Sequence, residues 1–171
     1  MPTAKPTHPP HPGSMLRQTL ALLGWLTFTF LAAAGAVFTD SGQGVWYAAL
    51  NKPSWQPPPA VFGPVWTTLY IVMAVAAWRV WRTPKRTPGR TGALTVFAVQ
   101  WVLNAAWTPL FFGAHLIGVA LVDIVLLVAA LTATVVFFSR VDRSAAWLML
   151  PTLAWVVFAT VLNFVLWRLN G

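Results

Sequence analysis

Five apolar runs divide the chain, at residues 16–38, 60–81, 93–113, 116–138 and 145–167, and polar or proline-rich stretches separate them. Each run is about 21–23 residues long. About 20 helical residues cross a bilayer core, and a helix satisfies its own backbone hydrogen bonds there. The pattern predicts an all-α integral membrane bundle of five transmembrane helices. The first run has Arg17 ahead of it and a cleavage-like Ala34-Gly35-Ala36. It is longer than the apolar core of a signal peptide, which is about 7–15 residues, so it reads as a span. The "FFGAHL" connection between the third and fourth runs is very short and makes those helices antiparallel neighbours. Its His115 reads as a solvated turn residue. Residues 1–14, MPTAKPTHPPHPGS, hold five prolines and read as a disordered tail, leaving 15–171 as a single membrane domain.

Composition agrees. The chain of 171 residues is 58% hydrophobic and 8% charged, against about a quarter charged in soluble domains. The net charge of +8 does not imply nucleic acid, because the basic residues sit at the ends of the apolar runs. Nine of the eleven fall on one side: Lys5, Arg17, Arg79, Arg82, Lys85, Arg86, Arg90, Arg140 and Arg143. Lys52 and Arg168 fall on the other. The positive-inside rule then places the N-terminus in the cytoplasm, with a bacterial cell membrane as the expected location.

Cysteine and glutamate are absent, and the three histidines stand at positions 8, 11 and 115. No nucleophile–base pair or metal-ligand set can be assembled from that inventory. Neither hydrolytic nor metal chemistry is expected, and no cofactor is required.

The informative residues lie on helical stripes at spacings of three, four and seven. The second run aligns Phe62, Trp66 and Tyr70; the third Gln100, Asn104 and Trp107. The fourth aligns Asp123, Leu127, Ala130 and Thr134; the fifth Thr152, Trp155, Ala159 and Asn163. Polar groups in such stripes often only bond neighbouring helices. A carboxylate such as Asp123, however, costs about 2.5–3.5 kcal/mol in a membrane and calls for a cavity or a partner. Pro64, Pro109 and Pro151 are expected to kink their helices. The buried polar positions gather beneath the first connection, "WYAALNKPSWQPP", residues 46–58. Proline stiffens that segment, so ordering it costs little entropy. Trp46, Tyr47 and Trp55 supply flat faces, and Lys52 a cation for an acidic ligand group. The connection, about 39–59, reads as a lid over a binding pocket.

Four stretches, "WYAALNKPSWQPP", "VFGPVWTTLY", "NAAWTPLFFGAHLIGVALVD" and "LPTLAWVVFATVLN", fall in order from about residue 46 to 168 and resemble the TspO/MBR family. That is the family of tryptophan-rich sensory proteins and the translocator protein. The resemblance implies a five-helix bundle, usually dimeric, that binds porphyrins and other flat apolar ligands beneath the first loop. The dimer contact is left open between Ala32 and Ala36 in the first span and small residues in the third. Positions matching the family's pocket are Tyr47, Pro57, Phe62, Trp66, Tyr70, Asn104, Trp107, Trp155 and Ala159. The family's sterol motif asks for a tyrosine in the last helix. Here "VLNFVLWR" has Phe164, which implies weak sterol binding, and such motifs are weak signals in themselves. Thr152 also stands where the family commonly has Tyr. Three functions are compatible: a receptor or sensor for porphyrins, a porphyrin-degrading enzyme using Trp66 and Trp107, or a transporter for porphyrin or sterol.

The absence of native cysteine makes topology directly testable. Single cysteines at Ser41 and Thr87 are expected to react with an impermeant reagent from opposite faces of the membrane. Reaction of both from one face would exclude the five-span arrangement.

Overall fold

The computed structural model describes residues 12–33 and 44–171. Helix α1 spans Pro12–Phe30 and runs into a 3-10 turn, Leu31–Ala33. A short helix α2, Val45–Ala49, lies in the first connection. Then come α3, Pro59–Trp81; α4, Arg90–Thr108; α5, Ile117–Val141; and α6, Arg143–Asn170. Five helices are long and apolar enough to cross a membrane, and no strand occurs among the described residues. The expected tail overlaps α1, whose first turn takes in residues 12–14. Proline is well suited to that position because its missing N–H has no partner in a first turn. The rest of the tail, residues 1–11, and the stretch 34–43 lie outside the described residues. His8 and His11 are among them, as is the start of the expected lid.

Packing follows the stripes. Helix α6 lies against α5 and α3, α4 against α5, and α1 against α3. Residues of the α3 stripe facing its neighbours are small: Ala74, Ala76 and Ala77 are fully buried. Without a hydrophobic drive between helices in lipid, close approach through small residues is what gives contact. Gly118 does the same between α5 and α6, where an added Cβ would stand 3.1 Å from Trp167 Nε1. Thr29 Oγ1 donates to the Tyr70 carbonyl at 3.1 Å, a polar tie between α1 and α3. The outer faces carry Val99, Val102, Val122, Val125 and Phe164, the surface that lipid covers.

The prolines act differently from one another. Pro64 and Pro151 are carried inside α3 and α6 without ending them. Pro109 begins a π-helical turn, Pro109–Gly113, in which Ala114 N–H donates to the Pro109 carbonyl at 2.8 Å. His115 then takes φ 57°, a left-handed conformation that His adopts more readily than most side chains, and reverses the chain into α5. It is not simply solvated: its ring stacks on Trp46 at 4.0 Å, with 14° between the planes.

At the basic end, Asp142 separates α5 from α6 and caps α6, accepting from Ala145 N–H at 3.1 Å. Its other oxygen pairs with Arg79 of α3 at 3.0 Å. Arg90 donates to the Trp81 carbonyl at 2.6 Å and so satisfies the end of α3. Burial opposes ionisation of Asp142, but the Ala145 N–H, Arg79 and the Ser144 N–H outweigh it and hold the carboxyl below its usual range. Asp142→Ala should therefore cost about 1 kcal/mol from the lost cap. The part-buried ion pair with Arg79 adds at most about 1 kcal/mol more. Because the folded pKa is depressed, this stabilisation is present at neutral pH and fades as pH falls below about 4. Thermal unfolding in detergent at pH 7 and at pH 3 measures it: the gap between wild type and variant should narrow in acid.

Candidate functional site

A cavity of about 500 Å³ lies between α3, α4, α5 and α6, beneath α2 and the proline segment, with Phe30 at the end of α1 and Ala33 in the 3-10 turn after it also in its wall. That volume falls in the range of about 300–1,000 Å³ typical of small-molecule sites. Eight of the nine pocket positions taken from the family resemblance line it: Tyr47, Phe62, Trp66, Tyr70, Asn104, Trp107, Trp155 and Ala159. Asn163 lines it too. Pro57 does not; its neighbours Gln56 and Pro59 take that part of the wall.

The aromatic walls are pre-set by mutual packing. Trp66 stacks on Tyr70 with centroids 5.4 Å apart, and Trp107 on Phe111 at 4.9 Å. Phe62 meets Trp155 edge-on at 5.8 Å. Such pairs each add about 0.5–1.5 kcal/mol beyond simple burial, so the rings have little freedom to collapse into the space. Two polar links cross the walls. Tyr70 OH donates to Asn104 Oδ1 at 3.2 Å. Trp107 Nε1 donates to Asn163 Oδ1 at 3.0 Å, and Asn163 Nδ2 donates to the Ile117 carbonyl at 3.1 Å. Trp155 Nε1 is buried with no protein partner among the described residues.

The first connection, the expected lid, is held at two points of its described part. Trp46 is wedged between His115 and Phe111, with Tyr47 edge-on to Phe112 at 5.3 Å. Asn51 N–H donates to Asn170 Oδ1 at 2.8 Å, and Asn170 Nδ2 donates back to the Asn51 carbonyl at 3.0 Å. This reciprocal amide pair ties the lid to the end of α6. Burial pushes the Tyr47 hydroxyl up from its usual range, with Gln56 beside it pulling the other way.

Four expected lid or support residues stand elsewhere. Lys52 Nζ donates to the Ala48 and Leu50 carbonyls at 3.0 and 2.9 Å and lies 4.9 Å from the Tyr47 ring centre. It closes the end of α2 and is not a cavity wall. Trp55 is exposed and packs on Phe158 at 5.9 Å, outside the cavity. Trp46 supports Phe111 from behind. Asp123 is buried, 8% exposed, but is not a wall residue; its Oδ2 has no protein partner among the described residues. Gln100 and Thr152 of the stripes are likewise fully buried away from the cavity. Phe111 and Phe112, by contrast, were not expected and are walls. No cluster of metal-ligating side chains occurs among the described residues.

Five spanning helices around an aromatic, ligand-sized cavity roofed by a tied loop define a multi-pass membrane protein with an internal chamber. The chain belongs to the TspO/MBR family, which it matches over residues 23–168. It is 46% identical over 131 residues to the translocator protein of Homo sapiens, covering 75% of this chain and 78% of that protein. It is 40% identical over 143 residues to protein CrtK of Rhodobacter capsulatus, covering 84% and 89%. To the tryptophan-rich sensory protein of Cereibacter sphaeroides it is 40% identical over 152 residues, covering 86% and 94%.

The amide pair makes a prediction about the lid. Asn170→Ala removes both bonds to Asn51. A neutral bond nets about 1 kcal/mol, and exposure keeps this pair near that figure in total, roughly fivefold in opening. Hydrogen exchange across residues 45–56 should speed up by about that factor while exchange in α5 stays unchanged. Uniform acceleration throughout would mean that Asn170 supports the whole bundle rather than the lid.

Proposed function

We propose that this protein is a membrane receptor or sensor that binds porphyrin-like tetrapyrroles in the chamber under the lid. The observation that carries the reading is the pairing of broad aromatic walls with a few fixed polar groups in a space of about 500 Å³. A porphyrin is flat and apolar with acidic groups along one edge. Its face suits Trp66, Trp107 and Trp155, while Gln56, Asn104 and Asn163 offer hydrogen bonds. Lys52 is engaged within its own loop, so the acidic edge is met by neutral donors or interfacial water rather than by that cation. The names of the relatives speak of sensing and translocation, in keeping with a ligand-handling membrane protein.

The same reading takes the basic ends of α1, α3 and α5 as cytoplasmic, the membrane as that of a bacterial cell, and the working unit as a homodimer. Sterol binding is weak on this reading. Phe164 lacks the hydroxyl that the family's motif uses, and it is 48% exposed on the outer face of α6, away from the chamber.

Titration of protoporphyrin IX in the dark is expected to quench tryptophan fluorescence, since several indoles border the chamber. Ala159 is the geometric probe. It lines the cavity one turn beyond Trp155, where a small side chain leaves room. Ala159→Thr should lower porphyrin affinity roughly 5- to 150-fold, because overpacking costs about 1–3 kcal/mol. Ala154→Thr, on the exposed face of the same helix, should leave it nearly unchanged. Equal losses from both would remove the chamber as the site. The same samples under light distinguish binding from degradation, since only the enzyme reading consumes pigment. A sterol titration alongside checks the motif argument, which fails if the unaltered protein already binds sterol tightly.

A further inference from the structure

The basic end holds a second cluster, separate from the chamber, where α1 packs on α3. The Arg17 guanidinium lies 6.0 Å from the centre of the Trp81 ring, and that of Arg82 lies 4.7 Å from Trp78. Trp78, Trp81 and Arg82 stand at i, i+3 and i+4, so they share one face of α3. Both arginines are exposed. Among the described residues neither pairs with a carboxylate; the one ion pair is Arg79 with Asp142. The indole Nε1 of Trp78, which can only donate, is buried under this cluster with no acceptor. The side chains of Arg17, Trp78, Trp81 and Arg82 offer donors and no acceptor.

Such a set is complementary to an acceptor-rich anion at the depth of lipid headgroups. Guanidinium forks match phosphate oxygens in pairs, and an indole ring beside each guanidinium narrows the positions it takes up. Basic pockets between spanning helices accommodate anionic headgroups. We propose that the groove between α1 and α3 at the basic end binds the phosphate of an anionic phospholipid. Arg17 and Arg82 grip the phosphate oxygens, and Trp78 and Trp81 hold the glycerol level. The acyl chains run down the apolar outer surface of α1, where Leu20 and Leu23 are exposed. Lys85 and Arg86, in the hairpin, are equally exposed but neither lies over a ring, so they contribute charge without a prepared site.

That contrast sets the test. Purified protein in detergent is titrated with phosphatidylglycerol, phosphatidylcholine and inorganic phosphate, and retained lipid is counted by native mass spectrometry. Arg17→Gln and Arg82→Gln should each lower phosphatidylglycerol retention roughly tenfold or more, the scale of a lost charge-assisted bond. Arg17→Lys and Arg82→Lys, which keep the charge and lose the fork, should fall between these and wild type. Arg86→Gln, with the same loss of charge, should stay within about twofold. Loss in Arg86→Gln equal to that in Arg82→Gln would replace the site with a diffuse field and overturn the proposal. So would inorganic phosphate competing as well as the lipid, which would mean a free-anion site, or retention unchanged in both glutamine variants. If a glutamine variant fails to fold, the lysine variants decide: retention equal to wild type overturns the site.

Discussion

Asn163 is the residue on which the chamber depends. Its amide accepts from Trp107 on α4 and donates to the Ile117 carbonyl at the start of α5, while its backbone belongs to α6. One side chain thus joins three helices at the wall of the cavity. In lipid the alternative to such bonds is an unsatisfied polar group, which costs several kcal/mol, so the three helices are held in one register. Trp107, fixed by that bond, in turn sets Phe111 by stacking, and Phe111 carries Trp46 of the lid. The roof is therefore positioned from inside the bundle as well as by the Asn51–Asn170 pair at its edge.

The two ends of the bundle use polarity in opposite ways. At the basic end the groups are charged: Asp142 caps α6 and reaches Arg79 of α3, and Arg90 satisfies the last turn of α3. At the lid end they are neutral and reach across helices: Tyr70 with Asn104, Trp107 with Asn163, Asn51 with Asn170. Neutral amides can be desolvated at modest cost, whereas charges cannot. The one amide pair at the roof, Asn51 with Asn170, is exposed, so water can replace its bonds.

Much of the site was legible in the sequence because two strong signals coincide there. Helical spacing put Phe62, Trp66 and Tyr70 on one face and Trp155, Ala159 and Asn163 on another. The cost of polar groups in lipid picked out Asn104 and Asn163. The same logic over-reached at Asp123, which is buried without reaching the cavity. Cost marks a polar residue as needing company but does not say whether that company is a ligand. Lys52 failed for a different reason. A cation in a loop reads as available, yet the carbonyls that end α2 lie two and four residues before it and take its hydrogens.

Phe111, four residues after Trp107, follows from the same helical spacing and was passed over, whereas Phe112 was illegible because the π turn changes the period. In a regular α-helix two adjacent residues point about 100° apart, and only one of them follows Trp107 onto the cavity face. The turn begun by Pro109 closes with a bond spanning five residues, from Ala114 back to the Pro109 carbonyl. That wider turn lets both rings face the chamber. Proline has no N–H to contribute to a regular helix, and single π turns are frequent at functional sites. The loss of regular helix thus falls where a wider wall is useful, between the indole that Asn163 fixes and the lid that Phe111 supports.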